Sequence, residues 1–261
     1  MSGKLFVIGL GPGGPAHMTH RAAQALAEAQ VVAGYKTYLK RVEGLLAGKR
    51  IVASGMTAEL DRAAQAIDLA LDGQIVAIVS GGDSGVYGMS AVVYELLARR
   101  GLAVGPGGLE LEVVPGVPAV AAAGALLGAP LSHDFACVSL SDRLTAWEVI
   151  QRRLDAAAGA DFVIALYNPK SHGRHWQYAQ ALEIIGRHRA ADTPVGLVRA
   201  AMQDEQSVGL CRLDQAADAP VDMQTIVIIG NSNSFVHLGK MVTPRGYLAK
   251  YGDKTAEGDA A

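Results

Sequence analysis

Short runs of consecutive apolar residues alternate along this chain with stretches whose apolar positions recur every three to four residues. Residues 4–8, 31–33, 50–53, 75–79 and 111–114 read as strands, and 19–29, 35–46, 58–72 and 90–100 as helices. Thr57 is placed to cap the helix over 58–72. Strands alternating with helices predict βαβ units and a mainly parallel sheet. The segment Pro115-Gly116-Val117-Pro118 interrupts the series, because the residue before a proline is pushed towards extended backbone. A small-residue helix over 119–127 follows, then strands at 135–140, 162–167 and 195–198 with helices at 146–158 and 176–189. Thr145 and Glu148 have capping-box spacing at the start of the helix over 146–158. Beyond residue 200 the helices thin out, and 207–213, 225–229 and 236–242 read as strands, which predicts a mixed, partly antiparallel second sheet. The expected architecture is therefore two α/β lobes, 1–115 and 119–250, with a polar tail over 251–261 expected to fray.

Composition narrows the function classes. At 261 residues, half of them apolar and 18% charged, the chain can bury a large core in each lobe. The net charge is −2 and the basic residues are scattered, which argues against a nucleic-acid partner. No apolar run approaches the about 18 residues needed to span a bilayer. The start of the chain lacks the apolar segment of a secretory leader, so a cytoplasmic location is expected. Cys137 and Cys211 are far apart in sequence and are expected to stay reduced within strands.

Two glycine-rich loops follow predicted strands. The first, Gly9-Leu10-Gly11-Pro12-Gly13-Gly14, matches the Gly-x-Gly-x-x-Gly pattern of dinucleotide sites, which makes a nicotinamide-dependent reductase a rival reading. Two features weaken that rival. The second strand leads to Ala33-Gly34-Tyr35, without the acid that would hold a ribose, and Pro12 removes one amide from the cradle. A tight strand-to-helix turn explains the loop nearly as well. The second loop, Gly81-Gly82-Asp83-Ser84-Gly85-Val86-Tyr87-Gly88, should lie at a strand's carboxyl end, where α/β sheets bind ligands. Asp83 suits a hydroxyl or ammonium ligand there, or simply turns the chain.

These loops, together with Val114-Pro115-Gly116-Val117-Pro118-Ala119 and Thr225-Ile226-Val227-Ile228-Ile229-Gly230-Asn231-Ser232, occur in an order and spacing that resembles the tetrapyrrole methyltransferase family, the class III methyltransferases. Four further segments are similar to the branch that methylates precorrin-3B at C17: Gly34-Tyr35-Lys36-Thr37-Tyr38, Ala129-Pro130-Leu131-Ser132-His133-Asp134-Phe135, Ser139 to Trp147, and Leu166-Tyr167-Asn168-Pro169-Lys170-Ser171. The resemblance implies a two-lobed fold of that class and S-adenosylmethionine as methyl donor, released as S-adenosylhomocysteine. It implies a tetrapyrrole substrate in cobalamin biosynthesis, ring contraction to precorrin-4, and a homodimer. The donor would lie folded in a cleft between the lobes. By position, Pro12, Gly81, Gly82, Asp83, Val86, Pro118 and Ala119 would hold it from the first lobe, and Tyr167, Asn168, Ala201 and Thr225 from the second.

Ring contraction should need a base for a hydroxyl proton and an acid to help open a lactone. Candidates within matching motifs are His133, Asp142 and Lys170; the first two could equally cap turns, and the third could be solvated. A polycarboxylate substrate calls for basic side chains on its site, for which Lys36, Lys40, Arg174 and Arg199 are the guesses. His17 with His20, and His172 with His175, lack the further ligands of a metal set, so no metal is expected. Related alternatives are methylation of another precorrin carbon, use of the cobalt-containing intermediate of the anaerobic route, and a non-catalytic carrier.

Overall fold

The computed structural model describes residues 3–55, 57–171 and 173–255. Its contacts divide the chain into two units: residues 1–122 with 202–204, and residues 123–201 with 205–261.

The first unit contains β1 (Lys4–Gly9), α1 (His20–Glu28), β2 (Val31–Tyr35), α2 (Lys36–Arg41), β3 (Arg50–Ser54), α3 (Glu59–Leu71), β4 (Ile75–Ser80), α4 (Met89–Arg99) and β5 (Glu110–Val114). The strands form a parallel sheet in the order β3-β2-β4-β1-β5. The central strands β1 and β4 are almost wholly buried, which is why their sequences are continuous apolar runs rather than alternating ones. Successive side chains on a strand face opposite ways. Leu5, Val7, Val76 and Ile78 therefore pack with Ala63, Ile67, Val93 and Leu97 of α3 and α4, while Phe6, Ile8, Val32 and Val79 pack with Ala22, Leu26 and Leu39 of α1 and α2. Because every strand is parallel, the segments after β1, β4 and β5 all leave from one edge of the sheet.

The expected capping at Thr57 does not form. Thr57 adopts a left-handed backbone (φ 71°), and Ala58, which cannot cap, occupies the N-cap position. The helix expected over 35–46 stops at Arg41, and a short 3-10 turn over Glu43–Leu45 follows. At α1 the pattern works: Thr19 Oγ1 accepts from the Ala22 amide at 3.1 Å.

The chain continues through α5 (Ala119–Leu127), β6 (Gly128–Ala129), β7 (Phe135–Ser139), α6 (Trp147–Gly159), β8 (Val163–Tyr167), α7 (Trp176–Gly186), β9 (Pro194–Arg199), β10 (Ser207–Arg212) and β11 (Thr225–Ile229). It ends with β12 (Phe235–His237), β13 (Lys240–Val242) and α8 (Tyr247–Thr255). The main sheet of the second unit runs β10-β9-β11-β8-β7. Only β7 and β8 pair in parallel; β11 lies antiparallel to both β8 and β9, so the sheet is mixed. Ile150 and Leu154 of α6 and Tyr178, Leu182 and Ile185 of α7 cover one face of it. The capping box at Thr145 and Glu148 is absent: Ala146 is the N-cap residue, and no side chain caps the helix. The single strand expected over 236–242 is a hairpin instead, turned by Leu238 (φ 48°) and Gly239 (φ 70°), the two positive angles a tight hairpin requires. Helix α8 runs into the segment expected to fray; residues 256–261 lie outside the described ones.

Candidate functional site

In the first unit, three loops at the carboxyl edge of the parallel sheet meet through their main chains. Gly11 and Gly82 exchange two backbone hydrogen bonds, 3.0 and 2.8 Å, which fastens the loop after β1 to the loop after β4. The third loop, after β5, is held by Asp83. Its Oδ1 accepts from the Gly85 amide at 2.8 Å and its Oδ2 from the Gly116 amide at 2.9 Å. Asp83 is thus a latch between two loops, engaged through both oxygens.

Closeness here depends on missing side chains. A Cβ on Gly9 would stand 2.7 Å from both the Gly116 nitrogen and the Gly82 oxygen, and one on Gly116 would overlap the Gly82 and Gly9 backbone. Gly82 differs. Its φ of 69° favours glycine, yet the nearest atoms to a Cβ there, on Ala119, Pro118 and Val117, are 3.7–3.8 Å away. The space beside Gly82 is therefore open, bordered by Pro118 and Ala119.

Pro12, Gly81, Gly82, Asp83, Val86, Pro118 and Ala119 consequently lie on three joined loops of one unit. Sequence reasoning missed two neighbours. Gln203 donates from Nε2 to the Pro12 carbonyl at 3.0 Å, a bond across 191 positions with no local signature. The Tyr38 ring abuts Gly81, leaving no room for a Cβ there. Burial pushes the Tyr38 phenol above its ordinary pKa. Below the loops Ser84 is fully buried, and its hydroxyl accepts from Ser90 Oγ at 3.0 Å.

The second unit gathers another set of candidates. The register Ser139↔Tyr167 puts the carboxyl ends of β7 and β8 side by side, and the antiparallel β11 brings Thr225 to the same end, opposite Arg199. Tyr167, Asn168, Ala201 and Thr225 therefore share one edge of the mixed sheet. Asn168 has a left-handed backbone (φ 51°) and donates from Nδ2 to Ser139 Oγ at 3.0 Å. The Thr225 hydroxyl donates to Asp222 Oδ1 at 2.8 Å, and its amide donates to the Asp222 carbonyl at 3.2 Å.

Asp142 and Lys170 are at this edge as well. Asp142 Oδ2 accepts from Gln177 Nε2 at 2.9 Å; Gln177 is buried, and its Oε1 has no hydrogen-bond partner. The Lys170 ammonium sits 5.1 Å from the centre of the Tyr178 ring, a cation–π distance. His133 is elsewhere. It precedes β7, and Asp134 beside it pairs with Val163 at the start of β8, so about 15 Å of strand separates it from Asp142 and Lys170. Its Nδ1 accepts from the Asp134 amide at 2.8 Å, which is the turn-capping alternative.

The proposed basic contacts also divide. Arg174 is buried, and its Nη1 donates to the carbonyls of Leu140 and Asn168 at 2.8 and 2.6 Å, so it braces the loop rather than facing a ligand. Burial lowers its pKa from the ordinary arginine value, against the attraction of Asp142. Arg199 is paired with Asp222 at 2.7 Å. Burial would raise the Asp222 carboxyl, but hydrogen bonds from Arg199 and Thr225 outweigh it and hold the pKa below the usual range. Lys36 and Lys40 are exposed on α2.

Cys137 and Cys211, on β7 and β10, the two outer strands of their sheet, form no disulfide, and burial raises the pKa of both thiols. Among the described residues, no group of three or more His, Cys, Asp or Glu could hold a metal ion, and no helix is long and apolar enough to cross a membrane. His172 lies outside the described residues.

A family model described as tetrapyrrole (corrin/porphyrin) methylases matches residues 4–217. A cobalt-factor III methyltransferase of Priestia megaterium is 47% identical over 96% of this chain, which spans 46% of that longer protein. A probable cobalt-factor III C(17)-methyltransferase of Salmonella typhimurium is 45% identical over 93% of this chain and 99% of its own length. A precorrin-3B C(17)-methyltransferase of a Sinorhizobium species is 45% identical over 88% of this chain and 90% of its own. Among solved structures, the methyltransferase CobJ superposes with a TM-score of 0.85 at 35% identity, covering 93% of this chain and all of that one.

Proposed function

Since this chain belongs to the tetrapyrrole (corrin/porphyrin) methylase family, we propose that it transfers a methyl group from S-adenosylmethionine to C17 of precorrin-3B, with ring contraction to precorrin-4. The observation that carries the reading is the joining of three carboxyl-edge loops around an open glycine backbone at Gly82, in a chain whose family match runs from residue 4 to residue 217. A second reading keeps the carbon and changes the macrocycle to the cobalt-containing form, which the names of the Priestia and Salmonella relatives favour.

The residues fit the donor. Gly81 and Gly82 present main-chain groups beside the open space, where a larger side chain would intrude. In this proposal Pro12, Gly81, Gly82, Val86, Pro118 and Ala119 line the donor's place, and Asp83 holds that lining in shape while contributing negative charge. Tyr167, Asn168, Ala201 and Thr225 contribute mainly backbone groups. S-adenosylmethionine supplies an electrophilic methyl on a sulfonium, and the protein's share of that step is alignment and exclusion of water.

For the proton transfers of contraction the proposal uses Asp142 and Lys170. Gln177 fixes one oxygen of Asp142 and leaves the other to accept a hydroxyl proton, while the Lys170 ammonium donates. His133, at the far end of its strand, has no part in the proposal. Two cysteines kept out of a disulfide support the cytoplasmic location in this proposal. The homodimer implied by the family resemblance is checked by sedimentation.

Purified protein is incubated with precorrin-3B, and separately with its cobalt-containing counterpart, plus methyl-labelled donor, and the label is located by NMR. Label at C17 is expected. Label at another carbon, or no transfer to either macrocycle, refutes the reading.

A further inference from the structure

Arg62 lies on the buried stripe of α3, one turn before Ala66, and is 4% exposed. Its Nη1 donates to Ser54 Oγ at 2.8 Å. Its Nε is buried without a hydrogen-bond partner, and its Nη2 is 3.9 Å from Glu59 Oε1, beyond hydrogen-bond reach. The open edge, Nε with Nη2, is one that a carboxylate grips with both oxygens. At two other arginines of this chain that edge is filled. Arg21 Nε and Nη2 meet Glu112 at 2.6 and 2.7 Å, and Arg212 meets Asp214 at 3.1 and 2.7 Å. Both of those arginines reach solvent, whereas Arg62 leaves the edge open in the interior, where an incompletely paired charge costs most.

The surroundings suit an anion. Ser54 and Tyr35 are paired as the last residues of β3 and β2, so Arg62 is at the carboxyl edge of the sheet. The Arg41 guanidinium stacks 5.3 Å from the Tyr38 ring, and Arg41, Arg62 and Glu59 are all near enough to act on the Tyr38 phenol. The same ring abuts Gly81 of the donor loop. Lys36 and Lys40 add positive charge on α2. Glu59 is the acid facing Arg62; it is half exposed and also accepts from the Thr57 amide at 3.3 Å, so it can turn outward.

We infer that Arg62 receives a peripheral carboxylate of the macrocycle through its Nε–Nη2 edge, with Glu59 displaced as the carboxylate enters. This rests on the function proposed above, which makes the substrate a polycarboxylate.

The test uses the full chain carrying Arg62→Met or Arg62→Lys. Binding is measured with uroporphyrin III, an octacarboxylic macrocycle, by fluorescence and with S-adenosylhomocysteine by calorimetry. R62M is expected to bind the macrocycle at least tenfold more weakly and S-adenosylhomocysteine within twofold of the parent. Its Tm should equal or exceed the parent's, because it removes a buried charge that was incompletely paired. R62K should fall between, since it keeps the charge and loses the planar edge. Unchanged macrocycle affinity in R62M overturns the assignment. So does loss of S-adenosylhomocysteine alone, which would give the carboxylate to the donor, or loss of both ligands with a lowered Tm, which would make Arg62 a strut. A parent that binds S-adenosylhomocysteine and no macrocycle overturns the functional reading and this assignment together. A parent that methylates C17 while R62M keeps its macrocycle affinity overturns only the latter.

Discussion

Asp83→Asn leaves a side chain of nearly the same shape but takes away one of two acceptors. In the parent the two oxygens serve the Gly85 and Gly116 amides at 2.8 and 2.9 Å. In the variant one amide must face an NH2 group and lose its partner. A hydrogen bond to a charged group contributes about 1.5–3 kcal/mol, and this site is partly buried, so about 2 kcal/mol is a fair expectation. The loss falls on the contact between the loops after β4 and β5, while the packed sheet beneath them is untouched. Donor affinity should therefore drop by about 30-fold at most, since 1.4 kcal/mol is a factor of ten. Calorimetric titration with S-adenosylhomocysteine measures the affinity, and a thermal melt on the same samples should show a much smaller proportional change. If D83N binds S-adenosylhomocysteine within twofold of the parent, the latch does not organise the donor loops and the reasoning fails.

Gly9→Ala would force a methyl against the Gly116 nitrogen and Gly82 oxygen at 2.7 Å; overpacking of this kind costs about 1–3 kcal/mol, so both Tm and donor affinity should fall. Arg174→Ala strips the Leu140 and Asn168 carbonyls of their donor and should destabilise by about 2–4 kcal/mol in a denaturant titration; an unchanged midpoint would remove its role as a brace. The bond from Arg21, opposed by burial and helped by a bond from Lys4, lowers Glu112 from 4.5 to about 2. A lowered folded-state pKa means stability that is complete above about pH 4.5 and is lost as pH falls towards 2. Glu112→Gln should thus lose about 1 kcal/mol at neutral pH, allowing for solvent screening, and show a flatter acid limb; parallel curves for parent and variant would refute this.

Much of the architecture could be read from periodicity because burial on both faces of a parallel sheet leaves uninterrupted apolar runs, as in 4–8 and 75–79. Ends were harder. Thr57 and Thr145 have the right chemistry for caps and the wrong backbone position, since the chain enters each helix one residue later, at an alanine. The hairpin at Leu238-Gly239 was hidden because leucine is an unusual residue for a left-handed angle. In the candidate site, the loops were visible as glycine clusters, but the use made of Asp83 was not. Its partner amide on Gly116 lies 33 positions away, and no spacing rule encodes such a bond. His133 sits in a persuasive motif at the opposite end of its strand from Asp142, a separation that the motif does not reveal. Arg62 did leave a trace: with Ala66 and Ala70 it repeats every four residues, a charge on an apolar stripe.

The glycine junction after β1, β4 and β5 has a further consequence for how such a protein can change. A surface made of main chain offers few side chains whose replacement could alter it, and at Gly9 and Gly116 any replacement is obstructed by neighbouring backbone. Mutational drift is thereby steered to positions such as Lys36, Tyr38 and Arg62, whose side chains can vary in charge and reach. A lineage could in this way redirect the carbon that is alkylated on a ring while inheriting its alkylating reagent unchanged.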